Sequence, residues 1–187
     1  MPKFIVGVMG AGENARSEDS TRAYQLGELI AREGWVVLSG GRAAGVMEAV
    51  NRGAKSVPGS LTIGILPSRE SIASEFVDVA IVTDLGNARN NVNVLSSHVV
   101  VVCGKGEAGT LSEIALALKA RKPVVLCLAA SDETQLYEAF LKELGRELLT
   151  VCRTPEAVID WVKHQRSRPT ILVRLPSSGK QRPYLVE

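Results

Sequence analysis

HVVVVCGKGEAGTLSEIALALKARKPVVLCL, residues 98–128, contains one full turn of an α/β repeat. Its opening run is apolar at every position instead of every second one, the pattern of a strand covered on both faces. Three glycines follow, Gly104, Gly106 and Gly109, and then a helical spacing of apolar residues runs from 110 to 121. Pro123 prevents that helix from continuing, because it lacks an amide donor and its ring clashes with the preceding turn. A second continuous apolar run begins at once. Strand, glycine turn, helix and strand in this order predict two parallel strands joined by a crossover helix.

Outward from this unit the same alternation fills the chain. Strands are expected at 4–9, 35–39, 61–66, 78–82, 98–103 and 124–129. Their richness in Val and Ile points to a central sheet. Between the first two, Ala23, Leu26, Gly27 and Ile30 recur at helical spacing and Gly34 stands at the stop position. A second helix follows Gly45 through Val46, Ala49 and Val50 to Gly53, and a third spans about 87–97. Peripheral helices are expected at 133–143 and 155–165, with LLTVC, residues 148–152, as a short strand between them and Pro155 in the first turn of the last. The predicted fold is α/β: a doubly wound, mostly parallel sheet with helices on both faces, Rossmann-like, over residues 1–166. Residues 167–187 change character, with Arg, Lys, Pro and Ser around one strand-like run at 170–175. This tail is expected to add an edge strand, cover a partner subunit, or fray.

A chain of 187 residues fits one domain of ordinary size. Its 45% hydrophobic and 22% charged residues are the mixture of a soluble globular protein. Lys and Arg number 22 against 20 Asp and Glu, a net charge of +2, which leaves no general footprint for nucleic acid or an anionic membrane. Cys103, Cys127 and Cys152 all sit in apolar, strand-like runs. Their odd number and wide spacing argue for buried free thiols in a reducing compartment, not for a disulfide framework or a zinc site. No apolar stretch approaches membrane-spanning length, and MPKFIVGVMG lacks a cleavage-like pattern, so a cytoplasmic location is expected.

Three glycine-containing turns stand directly after predicted strands: Gly10-Ala11-Gly12, the segment from Gly40, Gly41 and Arg42 to Gly45, and the segment from Gly104 and Gly106 to Gly109 and Thr110. A missing side chain lets backbone N–H groups approach phosphate oxygens, and the helix that follows presents unsatisfied amides and a positive dipole end. One such turn serves conformation as readily as binding. Three at one edge of a doubly wound sheet, where the strand order reverses, point to a crevice for a phosphorylated ligand. The third turn also matches G-x-G-x-x-G, a dinucleotide fingerprint, with Asp132 as the acidic residue that would follow; this makes an NAD-binding redox protein a third-ranked alternative. No G-x-x-x-x-G-K-[ST] pattern surrounds Lys105, which disfavours a P-loop NTPase.

Residues 86–93, GNARNNVN, crowd a helix start with amides and one arginine. Asn caps helices well but sits poorly inside them, and four Asn exceed what capping needs. Asn87 and Arg89 are therefore candidate ligand contacts, Arg89 as a bidentate donor to phosphate or carboxylate; the alternative for Arg89 is a solvated pair with Asp84. Thr110 to Glu113 reads as a capping box, while a carboxylate beside the phosphate turn could equally act as a general base or hold a ribose hydroxyl. The sequence leaves both roles open. His98, His164, Trp35 and Trp161 read as structural.

The segments LSGGRAAGVMEAVNRGA, LTIGILP and LGNARNNVNVLSSHVVVVCGKGEAGTLSEIALALKARKPVV, in that order, resemble the SLOG superfamily over roughly residues 3–165. The similarity is to the branch of the molybdenum cofactor carrier proteins, with the Lonely Guy phosphoribohydrolases as more distant relatives. The resemblance implies a Rossmann-like fold, a homo-oligomer, and a phosphate site on the glycine turns with Arg and Glu nearby. It implies a carrier or binding protein for a phosphorylated nucleotide-like or pterin-type ligand, with the molybdenum cofactor or a nucleotide as guest. In the phosphoribohydrolases a P-G-G-x-G-T-x-x-E motif and an upstream Arg split nucleoside 5′-monophosphates at the N-glycosidic bond. Arg89, Gly109, Thr110 and Glu113 match that pattern, which implies Arg89 and Glu113 as catalytic residues if the chain is such a hydrolase. Lys105 and Glu107 stand where the motif has Pro and its second Gly.

Overall fold

The computed structural model describes residues 2–167; the strand-like run at 170–175 lies outside them. Seven strands form one sheet in which every neighbouring pair is parallel. They are β1 (Ile5–Gly10), β2 (Val36–Ser39), β3 (Thr62–Leu66), β4 (Val79–Val82), β5 (Val99–Cys103), β6 (Val124–Cys127) and β7 (Leu149–Cys152), in the order β4-β3-β2-β1-β5-β6-β7. The expected Rossmann-like architecture is therefore present, with LLTVC supplying β7.

Helices cover both faces. On one, α1 (Ser17–Arg32), α2 (Gly45–Lys55) and α6 (Pro155–Ser167) bury Leu26, Ile30, Val50 and Val158 against Val6, Val8, Val101 and Val125. On the other, α3 (Arg89–Ser96), α4 (Ala108–Lys119) and α5 (Asp132–Gly145) bury Val94, Ile114 and Leu141 against Val100, Val102 and Leu126. Odd and even positions of β5 thus belong to different cores, which is why the run of valines tolerates no polar residue. Gly27 of α1 lies against the Val50 carbonyl of α2, and Gly53 against the Tyr24 carbonyl, so these two helices touch backbone to backbone.

Three features depart from the sequence expectations. VAIV of β4 reads as a core strand, yet all its residues are exposed, because it is the sheet edge and no helix covers it. The helix expected over 87–97 divides into a 3-10 turn, Gly86–Ala88, and α3 proper. And α4 begins at Ala108, two residues before Thr110.

The thiols of Cys103, Cys127 and Cys152 are free and buried, in register on three adjacent strands. Burial pushes each thiol above its ordinary range. Trp35 is buried and packs edge-on to Phe4. His98 accepts a hydrogen bond from the Ile5 amide at 3.0 Å and stacks on Phe4, a structural role as expected.

Candidate functional site

The strand order reverses between β1 and β5. After β1 the chain passes to α1 on one face, and after β5 it passes to α4 on the other, so the two connections part and leave a crevice at the carboxyl ends of the strands. That cleft has a volume of about 230 Å³. Gly10 at the end of β1 and Gly12 just after it line one part, Gly40 and Arg42 line it from the turn after β2, and Glu107, Gly109 and Thr110 from the start of α4. Asn87, Arg89, Asn90 and Glu113 close it from α3, its leading turn and α4, while Met9, Met47 and Pro67 add apolar wall.

All three glycine turns thus reach the cleft, but not all their glycines do. Gly41, Gly45, Gly104 and Gly106 hold φ angles of 73°, 49°, 75° and 70° and stand off the lining. Their part is to let the turns bend: a β-carbon on Gly45 would strike the Ala11 and Gly12 carbonyls, and one on Gly104 the Asp19 carboxylate. Gly40 has ordinary backbone angles and leaves space above its α-carbon, which Arg89 and Met47 fill.

Arg89 is the central cation. It is 12% exposed, and its Nη1 lies 3.7 Å from Oε1 of Glu113, too far for a good hydrogen bond. Burial lowers its pKa, the Glu113 charge opposes that, and Arg42 adds to it. The alternative pairing with Asp84 does not form, because Asp84 binds Arg69 at 3.2 Å. Arg42 is paired with Glu13 at 3.0 Å on the rim.

Glu113 makes no capping box. Glu107 is the N-cap of α4, so Thr110 already lies inside the helix, and Glu113 is a turn too far along to reach the cap amide. Its carboxylate instead accepts a hydrogen bond from Asn93 Nδ2 at 2.8 Å and is 8% exposed. Burial pushes its pKa from 4.5 up to about 7, against the opposing pull of the Asn93 hydrogen bond and the Arg89 charge.

The asparagines divide their work. Asn87 faces the cleft, Asn90 donates to Ser112 Oγ at 2.8 Å, and Asn93 holds Glu113, so the last two fasten α3 to α4. Asn90 and Asn93 were not singled out from the sequence. Their spacing of three residues, one helical turn face, was the available signal. Glu107 likewise read only as a departure from a motif, whereas its carboxylate accepts from Asn14 Nδ2 at 2.7 Å and from the Gly12 amide at 3.4 Å. The side chain of Glu107, the N-cap of α4, makes no capping hydrogen bond, and Gly109 and Thr110 of the first turn line the cleft. Among the described residues no group of three or more His, Cys, Asp and Glu could hold a metal ion, and no helix is long and apolar enough to cross a membrane.

An open parallel sheet with an arginine-bearing crevice at its switch point defines a Rossmann-like α/β protein. Residues 3–159 match the model of the SLOG cluster4 family, and the chain belongs to that family. The solved molybdenum cofactor binding protein from the phototrophic bacterium Rippkaea orientalis is 51% identical, with a TM-score of 0.83 over 89% of this chain and 99% of that one. The molybdenum cofactor carrier protein from Chlamydomonas reinhardtii is 43% identical, with a TM-score of 0.80 over 89% of this chain and 100% of that one. An uncharacterized protein of Archaeoglobus fulgidus is 48% identical over 124 residues, 66% of this chain and 80% of that one.

Proposed function

We propose that this chain binds the molybdenum cofactor in the switch-point cleft, as a carrier and not as a catalyst. One observation carries the reading: a nearly buried guanidinium, loosely paired with Glu113 at 3.7 Å, lines the same cleft as the uncapped start of α4, in a fold shared with two proteins named for this cofactor. Arg89 and the amides at the start of α4 would hold the phosphate of the guest, a charge-assisted contact of the strong kind. Asn87, which faces the cleft, would meet the N–H edge of its pterin. The exposed apolar side chains of Val79, Ile81 and Val82 on β4 support the homo-oligomer implied by the sequence resemblance.

The test is retention. Cofactor released from a molybdoenzyme is mixed anaerobically with the protein, the mixture is gel-filtered, and molybdenum and the oxidised pterin are measured in the protein peak. Co-elution of both near one per chain is expected, with Arg89→Ala retaining little. Elution of both in the small-molecule volume would overturn the reading.

A second reading draws on Glu113, whose carboxyl titrates near neutrality beside Arg89, as a general base must. It makes the chain a nucleoside 5′-monophosphate phosphoribohydrolase. Free adenine released from AMP, and lost in Glu113→Gln, would favour it over the carrier.

A further inference from the structure

In a doubly wound sheet that binds dinucleotides, the glycine-rich turn after β1 and the helix start that follows it hold the pyrophosphate bridge. Here that turn is already engaged by an anion from the chain itself. The Glu107 carboxylate spans from the N-cap of α4 to the opposite wall, where Oε2 meets the Gly12 amide at 3.4 Å and Oε1 meets Asn14 Nδ2 at 2.7 Å. It caps none of its own helix amides. The Gly12 amide thus has a carboxylate in place before any guest arrives, while the guanidinium of Arg89 lies against Gly40 in the β2 turn and that of Arg42, paired with Glu13, lies beside Gly12.

We infer that Glu107 is a specificity-determining residue, an internal anion that fills the β1 turn so that the cleft accepts a guest with one phosphate and rejects pyrophosphate-linked dinucleotides. A second phosphate at Gly12 would meet a like charge a few ångströms away and would have to displace two hydrogen bonds. Rejection of this kind needs only a repulsive element placed where the wrong ligand differs from the right one. The inference rests on the reading of the cleft as a phosphate site, whatever the rest of the guest.

Inorganic phosphate and inorganic pyrophosphate are the probes, each titrated calorimetrically into the full chain and into Glu107→Gln, Glu107→Ala and Asn14→Ala. Removing one negative charge strengthens both anions, so the readout is the ratio of the two affinities. That ratio is expected to rise at least tenfold toward pyrophosphate in Glu107→Ala, and by less in Glu107→Gln and Asn14→Ala. Thermal unfolding identifies any variant that fails to fold, and the conservative Glu107→Gln then carries the comparison. An unchanged ratio in the folded variants, or no binding of either anion by any of them, overturns the inference. Loss of molybdenum retention with a raised ratio removes only the cofactor assignment, whereas retention with an unchanged ratio removes only the role of Glu107.

Discussion

The guanidinium of Arg89 rests on the α-carbon of Gly40: a β-carbon there would stand 2.7 Å from both Nη1 and Nη2, and 2.6 Å from Met47 Sδ. The glycine of the β2 turn thus sets how deep the arginine can lie in the cleft. Gly40→Ala is expected to displace the arginine outward, because its backbone angles suit alanine while the space above it does not. Phosphate affinity by calorimetry should fall about tenfold, with a stability loss of roughly 1–2 kcal/mol in urea unfolding, the size of a modest overpacking.

Replacement of the arginine itself separates charge from geometry. Arg89→Lys keeps the charge but loses the planar fork, and should weaken sulfate binding by about ten- to a hundredfold. Arg89→Ala should abolish binding yet leave a folded protein, because Glu113 can then remain protonated. Equal affinity in Arg89→Lys and the parent would remove the bidentate contact from the account.

The stability of the fold should depend on pH through Glu113. Its carboxyl titrates at 4.5 ordinarily and at about 7 when folded, so between these values the native state binds more protons than the unfolded one. Stability from this group is therefore full below about pH 4.5 and declines as pH rises to about 7, by at most roughly 3 kcal/mol. Urea midpoints at pH 5 and pH 8 should show this decline in the parent and not in Glu113→Gln, which should be the more stable of the two at pH 8.

The same proton should control anion affinity. With Glu113 neutral, the charge on Arg89 is uncompensated; above pH 7 the carboxylate opposes any anionic guest. Sulfate, which does not titrate in this range, is expected to bind more tightly at pH 6 than at pH 8, and Glu113→Gln should bind it alike at both.

Asn93 joins the two helices at the site through its 2.8 Å bond to Glu113. Asn93→Ala leaves that carboxyl without its hydrogen bond and should cost about 1–3 kcal/mol. Asn93→Asp sets two buried carboxyls face to face, so its loss in urea unfolding should be larger at pH 8 than at pH 5. An equal loss at both pH values would mean that the second carboxyl never ionises.

The sequence by itself determined the sheet, the alternation of helices across it and the edge at which the glycine turns gather. Those follow from local pattern: VVVV at 99–102 reads as a strand covered twice, and Pro123 prevents the helix of 108–119 from continuing. Arg89 and the three glycine turns were legible for the same reason, since a poor helix start and a bend each leave a local mark. Tertiary structure alone decided that Arg89 lies against Gly40, that Glu113 belongs to Asn93 and Arg89 and not to a helix cap, and that VAIV at 79–82 is an edge. It also decided that Glu107 answers Gly12, 95 residues away along the chain. Such pairings depend on which loops the parallel crossovers bring to one end of the sheet, and a long-range contact of that kind carries no periodicity for a sequence to display.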